Sequence, residues 1–160
     1  MEKKYKLTDE TIEVEGKALY RIEALKDFCE IKKGDKGGFI ESENNLAHEG
    51  DAWVSDDACV YDNACVSDNA RVCGSARVCC NARVSDNAWV SDNARVYNDA
   101  RLYDNSWVYD NACVYGTSCV YDDARVCGTA RVYDNDWVYD HALGVWKHSN
   151  KKNELWQSTK

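Results

Sequence analysis

The stretch ARVSDNAWVSDNARVYND (residues 82–99) is one six-residue unit written three times. Each unit holds alanine, a variable residue, valine, a second variable residue, and then two turn formers, Asp-Asn or Asn-Asp. Followed outward, every sixth residue from Val54 to Val138 is aliphatic, fifteen in succession, with Leu102 the one departure from valine. The small residue two places earlier is alanine except at Ser106, Ser118 and Asp136. A repeat this regular must be read before anything else, because it decides the architecture.

Alanine and valine stand two apart, so in a strand they share one face and the variable positions share the other. Valine favours strand, and Asp-Asn or Gly-Ser/Thr favours a turn. Gly74, Gly116 and Gly128 replace the first corner residue and never the second. The first corner residue is therefore expected at positive φ, which Gly, Asp and Asn tolerate best. A corner every six residues predicts a triangular coil of three units, so that each strand stacks on the strand eighteen residues later. One buried valine contributes very roughly 1.5–3 kcal/mol, so a single coil cannot hold itself but a stack can.

Residues 52–142 thus resemble the hexapeptide-repeat family. The resemblance implies a left-handed parallel β-helix, an all-β solenoid of about five 18-residue coils. The near-perfect array following GGFIESENNLAHEG (residues 37–50) is more similar to uncharacterised proteins of bacteria and their phages than to the known acyltransferases of that family.

The expected organisation is a strand or hairpin cap at residues 1–38, the β-helix at 39–142, and a capping tail at 143–160. Residues 5–25 alternate as strands that turn near Glu15-Gly16, Gly34, Gly37 and Gly38 mark a loop, and Ile40 and Leu46 fall on the phase of the alanines. Leu143, Val145, Trp146, Leu155 and Trp156 are candidates to close the last coil. Asp136 puts a carboxylate at an inward position, where an unpaired charge is costly, so a local distortion or a wet end is expected.

The net charge of −8 is uneven. Residues 1–51 carry 13 acidic and 9 basic side chains, residues 52–142 carry 14 Asp and 7 Arg, and residues 143–160 carry 4 Lys and 1 Glu. An acidic middle argues against nucleic acid, whose binding requires phosphate neutralisation. No apolar run approaches the roughly 20 residues of a membrane helix, and the N-terminus MEKKYKLTDE lacks the apolar stretch of a secretory signal. A cytoplasmic location without a membrane partner is expected.

The eighteen-residue period sorts the outward residues into columns. Trp53, Arg71, Trp89, Trp107 and Arg125 form one, Tyr97, Tyr115 and Tyr133 a second, and Tyr103, Tyr121 and Tyr139 a third, beyond Ser67 and Ser85. Asp68, Asp86, Asp104, Asp122 and Asp140 form an acidic corner ridge. Aromatic ladders beside arginine match the composition of protein interfaces, although the same residues also suit strands and stack for stability. The Asp ridge has three readings: repeated turn chemistry, a ridge for a basic partner or a cation, or mimicry of a nucleic-acid backbone. Seven of the nine cysteines fall on outward positions, Cys80 on a corner and Cys29 near the N-terminus. None stands eighteen residues from another, so free thiols are expected, with no metal site and no cofactor.

These features fit a non-catalytic protein-interaction module that presents aromatic and acidic columns to a protein partner, with self-association as dimer or trimer. The resemblance extends this to a phage- or prophage-encoded inhibitor of a bacterial protein. The competing reading is an acyl- or acetyltransferase of the hexapeptide type, whose general base would have to be His48, His141 or His148. No insertion interrupts residues 52–142 to build a substrate loop.

Overall fold

The computed structural model describes residues 2–141, 144–148 and 153–155, with side chains described through residue 139. The repeat folds as three parallel sheets wrapped around one core. Val54 pairs with Val72, Val72 with Val90, Val90 with Val108 and Val108 with Val126, every step eighteen residues. The first face carries the strands ending in Val60, Val78, Val96, Val114 and Val132, and the third those containing Val66, Val84, Leu102, Val120 and Val138. All fifteen aliphatic residues of the valine position are fully buried, as are alanines 52 through 124 of the small position.

Nearly every corner is a four-residue turn closed by a backbone bond, as in Ala88 N–H to the Ser85 carbonyl at 3.1 Å. The first corner residue has positive φ at all fourteen positions from Asp56 to Asp134, whether it is Asp, Asn, Cys or Gly. The substitution pattern of three glycines had identified this conformation.

At the N-terminus β1 (Tyr5–Val14) and β2 (Lys17–Ala24) form an antiparallel hairpin that turns through Glu15 and Gly16, both at positive φ. β2 pairs with β3 (Lys36–Ile40), which joins the first face in parallel with the strand Cys59–Val60. Three expectations are corrected here. Gly37 and Gly38 lie within β3 rather than in a loop, because β3 runs so close to the first coil that a Cβ on Gly37 would meet the Val54 carbonyl at 2.5 Å. Ile40 and Leu46 take the place of valines, pairing with Val60 and Val66. Each of those steps is twenty residues, so one longer turn precedes the five regular ones and the helix has about six turns in all. The two extra residues fit because Gly50, at φ 74°, passes against the next coil.

The hairpin covers the open end. Tyr5, Ile22 and Ala24 join the valine core, while Val14, Leu19 and Phe39 bury Cys59 and Tyr61 on the outside of the first face. Trp53 keeps its place in the outward column, in register with Arg71, but the cap covers it. It is 2% exposed, with Phe28 edge-on at 5.3 Å and Tyr5 at 6.4 Å. Lys4 is buried with it and donates to the carbonyls of Ala52 and Gly50; desolvation lowers its pKa to about 8.

Asp136 also departs from expectation. It is 3% exposed, yet its N–H closes the usual turn to Tyr133 and its carbonyl accepts from Cys119, so the backbone there is regular. The third face continues through Trp137–His141 into antiparallel strands Gly144–His148 and Asn153–Leu155. Leu143 and Trp156 lie outside the described residues, as do the side chains of Val145, Trp146 and Leu155. Among the described residues no helix is long and apolar enough to cross a membrane.

Candidate functional site

The aromatic columns are stacked ladders. Tyr97 lies on Tyr115 at 4.9 Å and 3°, and Tyr115 on Tyr133 at 5.6 Å and 17°. On the third face Tyr103 meets Tyr121 at 5.2 Å and Tyr121 meets Tyr139 at 5.3 Å. Stacking hides the ring faces and leaves edges outward; most of these tyrosines are half-buried, and Tyr133 is 41% exposed. Burial, reinforced by Tyr103 and Tyr139, pushes the Tyr121 hydroxyl up to about 12, so it remains a neutral donor at physiological pH.

On the second face Trp89 stacks on Trp107 at 5.2 Å, and Arg125 lies over the Trp107 ring at 5.5 Å. Each indole N–H reaches back to the preceding coil, Trp89 to the Cys73 sulfur and Trp107 to the Ser91 hydroxyl. Ser91, an outward position by phase, is consequently covered. Tyr109, packed on Trp107 at 4.9 Å, and Trp137, 48% exposed beside the third ladder, belong to these faces although sequence reasoning passed over them. Both stand at the outward positions of the repeat, so the column rule held the signal.

The arginines were passed over too. Arg77 pairs in register with Arg95 on the first face, and Arg83 with Arg101 on the third. Among the described residues every ion pair involves the first 51 residues, and none reaches these four guanidinium groups. The corner aspartates do not neutralise them because their carboxylates are engaged elsewhere. Arg77, Arg95 and Tyr97 line a groove of about 360 Å³, and Arg83, Arg101 and Tyr103 a second of about 350 Å³.

The Asp ridge has a structural role. Asp68, Asp86 and Asp104 each accept the backbone N–H of the residue eighteen places on, at 3.3, 3.2 and 3.1 Å. The bond goes to the next coil, not to the residue's own turn. A charge-assisted bond of roughly 1.5–3 kcal/mol exceeds the roughly 0.8 kcal/mol of repulsion between carboxylates 5 Å apart in water. Asp122 pairs with Asp140 through the backbone, and the Asp140 side chain lies outside the described residues. The second corner residues form a parallel amide ladder, as in Asn69 to Asn87 and Asn87 to Asn105.

Of the three histidines, His48 is built into the cap. Its ring stacks on Tyr5 at 4.3 Å, Nδ1 accepts the Lys4 N–H and Nε2 meets Glu43. The side chains of His141 and His148 lie outside the described residues. All nine cysteines are free thiols. Cys79 and Cys80, which fall in different columns, nevertheless have sulfurs 3.6 Å apart, and burial pushes the Cys79 thiol up to about 12.

An uninterrupted parallel stack whose outward columns are aromatic and basic defines a β-solenoid repeat protein. The family model described as YdcK Beta solenoid repeat matches residues 88–104, close to one full turn. No curated protein matches the chain.

Proposed function

We propose that this chain is a non-catalytic binding module whose protein partner docks on the first and third faces, across the tyrosine ladders and the arginine pairs beside them. The observation that carries the reading is the pairing of Arg77 with Arg95 and of Arg83 with Arg101, with no ion pair to any of the four among the described residues. Like charges directly opposite on neighbouring strands cost the fold stability. A partner that brings carboxylates to these grooves would turn that cost into affinity, with the tyrosine edges supplying rigid contact area. Asp86 borders the third-face groove, and the acidic ridge would disfavour a continuous polyanion such as nucleic acid. Inhibition of a bacterial protein by a phage-borne chain would be one such role.

The test compares proteins retained from bacterial lysate by the immobilised chain and by two variants. Tyr103, Tyr121 and Tyr139 are changed together to Ser in one, and Arg83 and Arg101 to Ser in the other. Serine already occupies this tyrosine column at Ser67 and Ser85, so the fold should accept it. A partner retained by the native chain and lost from both variants supports the reading; equal retention by all three contradicts it.

A further inference from the structure

At the corner following Val78 the repeat carries Cys79-Cys80 where most units carry Ser or Tyr followed by Asp. Cys80 takes the first corner position at φ 62°, one coil beyond Asp62 in the same column. The Cys79 and Cys80 sulfurs and an Asp62 carboxylate oxygen all lie within 4.8 Å of one another. Among the described residues no other three His, Cys, Asp or Glu side chains gather in this way.

The spacing is that of ligands. Two sulfurs on a tetrahedral ion with bonds of about 2.3 Å stand about 3.8 Å apart, and these stand at 3.6 Å. A disulfide would need about 2.05 Å. The surroundings already hold a cation: the Lys17 ammonium is ion-paired with Asp62. Glu41 accepts the Asp62 N–H at 2.7 Å, and Glu15 accepts the Tyr61 hydroxyl at 3.4 Å, so carboxylates converge on one lysine from a hairpin turn. That lysine side chain is 39% exposed and free to withdraw into solvent. Arg77, on the same face, is the opposing charge.

We propose that Cys79, Cys80 and Asp62 form a site for a single thiophilic divalent cation, of the zinc or cadmium class, which displaces the Lys17 ammonium. Two thiolates with one carboxylate select such an ion over calcium or magnesium, which prefer all-oxygen shells. Binding forms two metal–sulfur bonds and one metal–oxygen bond, releases the two thiol protons to solvent, and leaves a fourth position for water.

The test uses the full chain, reduced and stripped of metal, titrated with Cd2+ while the thiolate-to-metal absorption is followed, then with Zn2+ against a chromogenic chelator. One saturable equivalent is expected. Cys79→Ser and Cys80→Asn should each abolish it; Asn98 stands in the same column, so the second change suits the corner. Asp62→Asn should weaken binding about tenfold or more. Lys17→Met should tighten it, and Cys113→Ser with Cys119→Ser should leave it unchanged. Cd2+ uptake that scales with total thiol number, or a band that persists in the folded Cys79→Ser or Cys80→Asn chain, would overturn the proposal.

Discussion

The Asp86 carboxylate accepts the backbone N–H of Asp104, the equivalent residue of the next coil, at 3.2 Å. Asp86 itself has φ 55°. One side chain thus provides tolerance of the left-handed corner and a charge-assisted tie between coils.

The two contributions separate by substitution. Asp86→Asn keeps the conformation and a neutral form of the tie, and should cost about 1 kcal/mol or less. Asp86→Gly keeps the conformation and loses the tie, at about 1.5 kcal/mol. Asp86→Ala loses both and should cost about 2 kcal/mol or more. Chemical denaturation of the three variants gives the order, and an Ala variant as stable as Asn would contradict it.

Ser106 occupies an alanine position, and its hydroxyl is buried without a hydrogen-bond partner. Ser118, at the equivalent position two units on, donates to the Tyr115 carbonyl at 2.7 Å. Ser106→Ala should therefore stabilise the chain by about 1 kcal/mol, while Ser118→Ala should be neutral or destabilising by a similar amount. Thermal unfolding of the pair distinguishes them.

Gly50 makes the longer first turn possible. A Cβ there would lie 2.4 Å from the Asp68 carbonyl oxygen, at a φ that side chains rarely adopt. Gly50→Ala should cost about 1–3 kcal/mol and loosen the cap before the regular coils, an order that hydrogen exchange on Trp53 and Val90 amides would reveal.

Acid should release the cap as well. Glu30 binds Arg71 through both carboxylate oxygens, and this contact, chiefly its hydrogen bonds, lowers the Glu30 pKa from 4.5 to about 2. Because the folded value is depressed, the stabilisation is present above about pH 4.5 and disappears as pH falls towards 2. Glu30→Gln should flatten that part of the stability profile and lower neutral-pH stability by the same small amount, since the glutamate is largely exposed and solvent screens the pair.

The repeat was legible because its two rules, the face of each residue and the column it joins, follow from spacings of two and eighteen. Val54 to Val138 and the positive-φ corners could be placed without coordinates. What the cap covers could not, since the burial of Trp53 and Tyr61 depends on a hairpin folding back over strands some forty residues away, and no local pattern encodes that contact. The same limit hid the twenty-residue turn, because Ile40 and Leu46 share a phase with the alanines while standing in for valines. At the site, sorting by columns found the aromatic ladders but separated Cys79 from Cys80, whose sulfurs meet around a corner. It also left the arginine pairs unremarked, because their missing counter-ions become visible only once the corner carboxylates are seen to bind backbone.

The most direct measurement is the affinity of the chain for a partner retained from lysate, determined by calorimetry alongside two variants of verified fold. One replaces Tyr103, Tyr121 and Tyr139 with Ser; the other replaces His48, His141 and His148 with Ala. The expected result is a loss of about 100-fold or more, or about 2.7 kcal/mol, for the tyrosine variant and unchanged affinity for the histidine variant. Undiminished binding by the tyrosine variant, or acyl-thioester turnover by the native chain that vanishes with the histidines, would contradict the binding-module account.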